Sequence, residues 1–391
     1  MSLADECGQA VEPLLRALVG FDTTSRNSNM ALIRHIETYL ASHGIASHLV
    51  ANDDGSKANL FATIGPNVEG GVVLSGHTDV VPVDDQGWSS DPFTLTEKEG
   101  RLVGRGTADM KGFIAVCLAY VPLFLEAKLT RPIHFAFTYD EEVGCLGIQH
   151  MLPYLAEHCA APRLVVVGEP TSMQVAAAHK GQHACRTRIT GREAHSSRPE
   201  EGVNAVMVAA ELITLISSFA AREREKGEQD EAFDPPYTSF NVGPIRGGSM
   251  FNIIPNACEF DWEFRPVPGT DAQEILNEYQ RFIDDVVTPR MKAAGGAECG
   301  VVNEVWAYLP PLKADPGSDA ETLAMLLAGK NETTVVAFGT EGGHFQSIDF
   351  PAVVCGPGDI AQAHKPDEFI TTGELAACGK FMERLARALS A

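Results

Sequence analysis

The chain has 391 residues, 45% hydrophobic and 21% charged, the make-up of a globular protein with room for two domains or one elaborated domain. Lys and Arg number 30 against 52 Asp and Glu, and the formal charge of −22 speaks against nucleic acid and anionic membrane as partners, since both need clustered positive charge. No apolar run approaches the ~20 residues of a bilayer span, and Met1-Ser2-Leu3-Ala4-Asp5-Glu6 has neither the basic nor the apolar region of a secretory signal.

The nine Cys are odd in number and none falls in a Cys-x-x-Cys pair. They read as reduced thiols packed as small hydrophobes, which fits a reducing cytoplasm. A metal site in this chain must therefore be built from His and carboxylate.

Residues 8–19 and 30–43 carry helical apolar spacing, with Gly44 as a stop signal. Short apolar runs at 59–64, 71–75, 133–138 and 163–167 predict strands, and a helix is expected at about 110–127. Strands alternating with helices imply an α/β core with a largely parallel sheet flanked by helices. In open sheets of this kind, ligands bind beyond the carboxyl ends of the strands.

The pattern changes after about residue 180. Strands are expected at 183–189, 258–264 and 299–306, helices at 203–225 and 271–287, and a polar surface loop from Arg222 to Pro236. This predicts a smaller α+β unit with two helices on one sheet face. The core pattern returns with Val335-Val336-Ala337-Phe338, Ala352-Val353-Val354-Cys355 and a last helix at about 373–389. The expected division is a core domain from 1–180 and 308–391, with residues 181–307 inserted into it.

Five motifs carry the chemistry. Ser75-Gly76-His77-Thr78-Asp79 follows the run Val72-Val73-Leu74, and Asp140-Glu141-Glu142 follows Ile133 to Thr138. Gly168-Glu169-Pro170-Thr171 follows Leu164-Val165-Val166-Val167. The other two are Gly106-Thr107-Ala108-Asp109-Met110-Lys111-Gly112 and Ala363-His364-Lys365-Pro366-Asp367-Glu368. Two His and several carboxylates at strand ends suit a pair of divalent metals, Zn²⁺ in particular, and two metals a few Å apart make a hydrolytic site. Adjacent Glu141 and Glu142 cannot point the same way on a strand, but at a strand-to-loop turn one can bind metal while the other reaches a water. Asp84-Asp85 reads as an exposed loop and Cys145 as a packing residue. His344, in Gly342-Gly343-His344, is left open between a supporting role at the site and a surface position.

These motifs, in this order across nearly the whole chain, resemble the co-catalytic zinc amidohydrolases and exopeptidases, a family that includes the succinyl-diaminopimelate desuccinylases and carboxypeptidase G. The segments Trp88 to Glu97, Gly106 to Gly112, Gly168 to Ser172 and Gln362 to Glu368 are most similar to its acetylornithine deacetylase branch. The resemblance implies a zinc-exopeptidase-like core with an inserted lid and dimerisation domain. It implies two divalent metals, Zn²⁺ first and Co²⁺ as the alternative. Asp109 would bridge them, His77 and Glu169 would complete one site, and Glu142 and His364 the other. Glu141 would be the general base, and Asp79 would hold the His77 imidazole. His195 would reach the substrate carbonyl of a partner subunit in a homodimer. Asn252 and Arg265 would bind substrate, with an ion pair to Glu263 or Glu259 as the alternative use of Arg265. Glu341, in Thr340-Glu341, would meet the ammonium of ornithine. The implied reaction is hydrolysis of N2-acetyl-L-ornithine to ornithine and acetate. Alternatives are a related N-acyl-amino-acid deacylase, acting on acetylcitrulline or succinyl-diaminopimelate, and a non-catalytic binding protein with the same fold.

Overall fold

The structure is a computed structural model and describes residues 1–390. The chain forms two compact units: Met1–His179 joined by the segment from Leu312 onward, and Lys180–Pro311.

The first unit is built on an eight-stranded mixed sheet. Its strands are β1 Ser47–Ala51, β2 Ala58–Ile64, β3 Val72–His77, β4 Ile133–Thr138, β5 Leu164–Pro170, β6 Ala176–His179, β7 Thr334–Val336 and β8 Ala352–Gly356, in the spatial order β1-β2-β4-β3-β5-β8-β6-β7. β3 lies parallel to both β4 and β5, and β8 is parallel to β5. Every residue of β3, β4 and β5 is buried, which is why they read as continuous apolar runs rather than alternating ones. Helices Leu3–Val19 and Thr372–Ala388 each begin with a capping box, Ser2 with Asp5 and Thr371 with Glu374, that satisfies amides with no partner inside the helix.

The single helix expected at 110–127 is three pieces, Thr107–Lys111, Gly112–Ala119 and Val121–Glu126. Pro122 sits in the first turn of the last piece, where its missing N–H costs nothing. By length and mean composition alone, the stretches Thr107–Glu126 and Ala205–Lys226 reach what a bilayer span needs, although charged residues interrupt both and neither is a continuous apolar run. The most apolar window is 83% buried inside the protein in the first and 33% buried in the second.

The second unit holds a four-stranded antiparallel sheet in the order Ser239–Gly247, Ala257–Arg265, Gln182–Thr190, Gly300–Leu309. Cys258, Phe260, Trp262 and Phe264 alternate inward and pack with Leu212, Ile216 and Phe219 of helix Ala205–Lys226 and with Ile275 and Tyr279 of helix Ala272–Phe282.

The sheet of the first unit positions the chemistry. β4, β3 and β5 are neighbours running the same way, with His77 registered opposite Thr138. Their carboxyl ends deliver His77, the Asp140–Glu142 turn and Glu169 to one rim.

Candidate metal centre

Asp109 stands at the middle of this rim. Its Oδ1 lies 2.9 Å from His77 Nε2 and its Oδ2 3.3 Å from His364 Nε2. On the His77 side, Glu169 Oε1 is 3.6 Å from the same imidazole nitrogen. On the His364 side, Glu142 Oε2 is 3.0 Å from His364 Nε2. Donor atoms of His77, Glu141 and Glu169, and of His77, Asp109 and Glu142, lie within 4.8 Å of one another. The structure thus brings together His77, Asp109, Glu142, Glu169 and His364, the five residues expected as metal ligands, and places Glu141, expected as the base, beside them.

Local sequence explains the placement. Gly168 precedes Glu169 because a Cβ there would collide with the Phe113 ring. The Asp140 turn, with φ 53°, is held by Lys57, whose Nζ lies 2.6 Å from the Asp140 carboxylate. His364 is also held at positive φ, 63°, an uncommon conformation for a residue with a side chain, and its side chain is 54% exposed while the Asp109 and Glu142 side chains it faces are buried.

His77 is oriented otherwise than expected. Its Nδ1 is hydrogen-bonded to the backbone carbonyl of Asp79 at 2.9 Å, and the Asp79 carboxylate is 3.6 Å away. That carboxylate instead accepts the backbone N–H of Glu141 (3.1 Å) and of Glu142 (3.3 Å) and the Ser25 hydroxyl (2.7 Å). Two-residue spacing places the Asp79 carbonyl within reach of the ring and frees the side chain for the neighbouring turn.

Charge at the site is unbalanced. Among the described residues, the ion pairs of Asp109, Glu142 and Glu169 are with His77 and His364, never with Lys or Arg. Burial pushes Glu141 and Glu169 well above the usual carboxylate range and Glu142 up to about 7. Burial also raises Asp109, but hydrogen bonds from His364 and His77 outweigh it and hold Asp109 below its ordinary value. Hydrogen bonds to Asp109 and Glu142 lift His364 to about 10. Buried carboxylates with two imidazoles and no thiol form a donor set that fits divalent ions of the Zn²⁺ type, whose charge would pull the raised carboxylates and His364 back down and hold Asp109 low.

Behind the rim, Glu341 is 1% exposed and accepts a 3.4 Å hydrogen bond from Ser75 through Oε2. Its Oε1 has no hydrogen-bond partner among the described residues, and burial pushes the carboxyl up to about 7. Cys145 is buried with its Sγ 3.5 Å from Glu141 Oε1, and His344 is buried. Asp84 is exposed and paired with Arg26 at 2.6 Å.

The remaining expected residues belong to the second unit. His195 is exposed, and its Nδ1 is 2.8 Å from the Ser197 hydroxyl. Asn252 is brought close to it, since its carbonyl accepts the N–H of Ser196 at 3.0 Å. The Arg265 guanidinium rests on Glu263 at 3.3 Å. Ser25 and Lys57 carry no signal in sequence, since their neighbours form no motif, and Ser75, though it opens the His77 motif, has its contact with Glu341 marked only by proximity in the fold.

Residues 73–388 match the model of peptidase family M20/M25/M40. The chain is 36% identical over 367 residues to an acetylornithine deacetylase of Proteus mirabilis (strain HI4320), covering 93% of this chain and 91% of that one. Its fold is similar to that of an M20 family metallo-carboxypeptidase, Sso-CP2, from Sulfolobus solfataricus, with a TM-score of 0.76, 18% identity, and 96% and 98% of the two chains covered. It is also similar to the YXEP protein of Bacillus subtilis, a dinuclear metal binding peptidase, with a TM-score of 0.66, 14% identity and 98% of each chain covered. The carboxylate–imidazole rim and these likenesses agree: the chain belongs to peptidase family M20/M25/M40 and is a metal-dependent amidohydrolase.

Proposed function

We propose that the protein hydrolyses N2-acetyl-L-ornithine to L-ornithine and acetate, supplying arginine biosynthesis in the cytoplasm. The observation that best supports a dinuclear site is the divided use of Asp109, with one oxygen toward His77 and the other toward His364. A carboxylate can serve two cations at once and an imidazole cannot. His77 and Glu169 are assigned to one metal, Glu142 and His364 to the other, and Asp109 to both. Two divalent ions, Zn²⁺ first and Co²⁺ as the alternative, would supply a water of lowered pKa and a Lewis acid for the amide carbonyl.

Glu141 is assigned as the general base. It takes a proton from the attacking water and returns it to the amide nitrogen as the C–N bond breaks. Its backbone is fixed by Asp79, which keeps its side chain aimed while Glu142 serves a metal. The inserted unit is assigned as lid and dimerisation domain of a homodimer. The partner subunit's His195 would donate to the developing oxyanion, and Asn252 and Arg265 would hold the substrate, with the Arg265 fork on the α-carboxylate. The exposure of His195 and its closeness to Asn252 support this use. All nine Cys are free and buried, which suits a reducing compartment.

Substrate choice rests on Glu341. A buried carboxylate with one oxygen unpartnered suits the ornithine ammonium. The second reading is acetylcitrulline, because its ureido N–H groups would donate to the same unpartnered carboxylate oxygen. A panel of acetylornithine, acetylcitrulline, acetylmethionine, succinyl-diaminopimelate and a dipeptide, with zinc-loaded protein, tests this. Acetate release fastest from acetylornithine is expected; a preference for another member of the panel would reassign the substrate. Mixing Glu141→Gln with His195→Ala chains tests the shared site: activity should return in hybrid dimers, and its absence in proven hybrids would place His195 in its own chain's site or in none.

A further inference from the structure

We infer that Glu368 is a positioning residue that sets the geometry of both metal sites, by locking the backbone of Asp109 and tying it to the loop that carries His364. The inference rests on the dinuclear reading above and concerns residues that reading leaves without a role.

Glu368 is 1% exposed, and both of its oxygens are fully used. Oε1 accepts the backbone N–H of Ala108 at 2.9 Å and of Asp109 at 3.0 Å. Oε2 accepts the N–H of Gly106 at 3.0 Å and the Arg105 Nη1 at 2.7 Å. Three backbone amides of the segment leading into Asp109 therefore converge on one carboxylate. Its own carbonyl adds a 2.9 Å bond from the Gly104 N–H. The Asp109 side chain must present its two oxygens in two directions, so its main chain has to be fixed against rotation as well as displacement.

The same carboxylate reaches the second half of the site through Arg105, which is also 1% exposed. Arg105 Nη2 donates to Gln86 Oε1 at 2.6 Å, and Gln86 Nε2 donates to the backbone carbonyl of His364 at 3.2 Å. Glu368 lies four residues beyond His364, so chain and hydrogen bonds close a ring: Asp109, Glu368, Arg105, Gln86, His364. This ring explains how His364 keeps its positive φ on an exposed loop. The Trp88 ring lies 5.0 Å from the Arg105 guanidinium and covers it. A buried ion pair of this kind is a costly way to gain stability alone, because desolvation offsets most of its attraction. A carboxylate saturated by main-chain donors is instead a device for fixing a path. Partners of this kind behind metal ligands typically control affinity by 10- to 100-fold.

The test is metal binding by the full-length protein, read by titration calorimetry and by the Co²⁺ absorption spectrum, for parent, Glu368→Gln and Gln86→Ala. Glu368→Gln keeps the shape but puts an amide NH₂ against an N–H or guanidinium donor. It should weaken both sites by roughly 10- to 100-fold and change the Co²⁺ spectrum. Gln86→Ala removes a half-buried side chain outside the carboxylate cluster and is chosen to fold even if Glu368→Gln does not. It should weaken one of the two Co²⁺ steps, that of Glu142 and His364, and leave the other within about twofold. Parental affinity at both sites in folded Glu368→Gln overturns the inference, and so does parental affinity at both sites in Gln86→Ala. A parent that binds no second ion overturns the dinuclear reading itself, which is a different result.

Discussion

Asp79 holds Glu141 by its main chain: the Asp79 Oδ1 accepts the Glu141 N–H at 3.1 Å, and Oδ2 accepts that of Glu142 at 3.3 Å. One carboxylate thus fixes the turn that carries Glu141 toward His77 and Glu169 and Glu142 toward His364. Asp79→Asn should break this, because its NH₂ would face an amide N–H and leave a buried donor unpaired. Turnover of the metal-loaded variant should fall by about 10- to 100-fold. Steady-state kinetics beside metal analysis checks it, and a loss under twofold would remove Asp79 from the positioning of the base.

Glu141 and Glu142 should separate cleanly. Glu141→Gln keeps both metals and loses a factor of about 10²–10⁴ in kcat, the ordinary cost of deleting a general base. Glu142→Gln, which faces His364 at 3.0 Å, should lower the metal content at one site. Elemental analysis with kinetics on the same samples distinguishes them. Full activity in metal-replete Glu141→Gln, or full stoichiometry in Glu142→Gln, would reverse the assignments.

Asp109→Asn should impair both metal sites together, because its two oxygens face different imidazoles. Loss of one ion with the other bound at parental affinity would make Asp109 a ligand to a single metal.

Side-chain chemistry was legible where it is written as residue types at strand ends. His77, Glu142 and Glu169 converge because β3, β4 and β5 end side by side, each end marked by an apolar run, whereas Asp109 in Thr107–Lys111 and His364 after Ile360–Gln362 lie off these strands and were legible only from their own motifs. Strand Ser239–Gly247 was not legible: Gly243, Pro244 and Gly247 interrupt it, and much of it is exposed, so it shows no alternation. Helix Leu146–His158 was also missed, with Pro153 inside it. The grip of Asp79 on Glu141 and of Glu368 on Asp109 could not be read, because the donors are backbone amides. Every residue has one, so sequence carries no mark of which are used.

Glu341→Gln should discriminate between substrates rather than disable the enzyme. The lost charge–ammonium contact is worth about 1.5–3 kcal/mol, which is roughly 10- to 100-fold in kcat/KM for acetylornithine. The neutral acetylcitrulline should lose less than the ammonium-bearing substrate. Equal losses on both substrates in a panel of kcat/KM values would mean that Glu341 supports the rim and does not read the side chain.

His134 gives a pH prediction independent of the metals. It is fully buried in β4, and its Nδ1 lies 2.9 Å from the Thr63 hydroxyl. Its Nε2 has no hydrogen-bond partner among the described residues. Burial pushes its pKa down from 6.5 to about 4, so the folded protein keeps it neutral. The unfolded chain takes up a proton as pH falls through 6.5, while the folded chain does so only near 4. Stability from this residue is therefore complete above 6.5, is lost between 6.5 and about 4, and levels off below. The difference across that window is on the order of 3 kcal/mol. His134→Phe keeps the stacking on Phe61, 5.4 Å away, and removes the titration. Hydrogen-exchange protection of the β4 amides, corrected for intrinsic exchange, should fall less steeply from pH 7 to 4.5 in the variant than in the parent. Parallel pH dependences would show that His134 takes no part in the acid lability of the core.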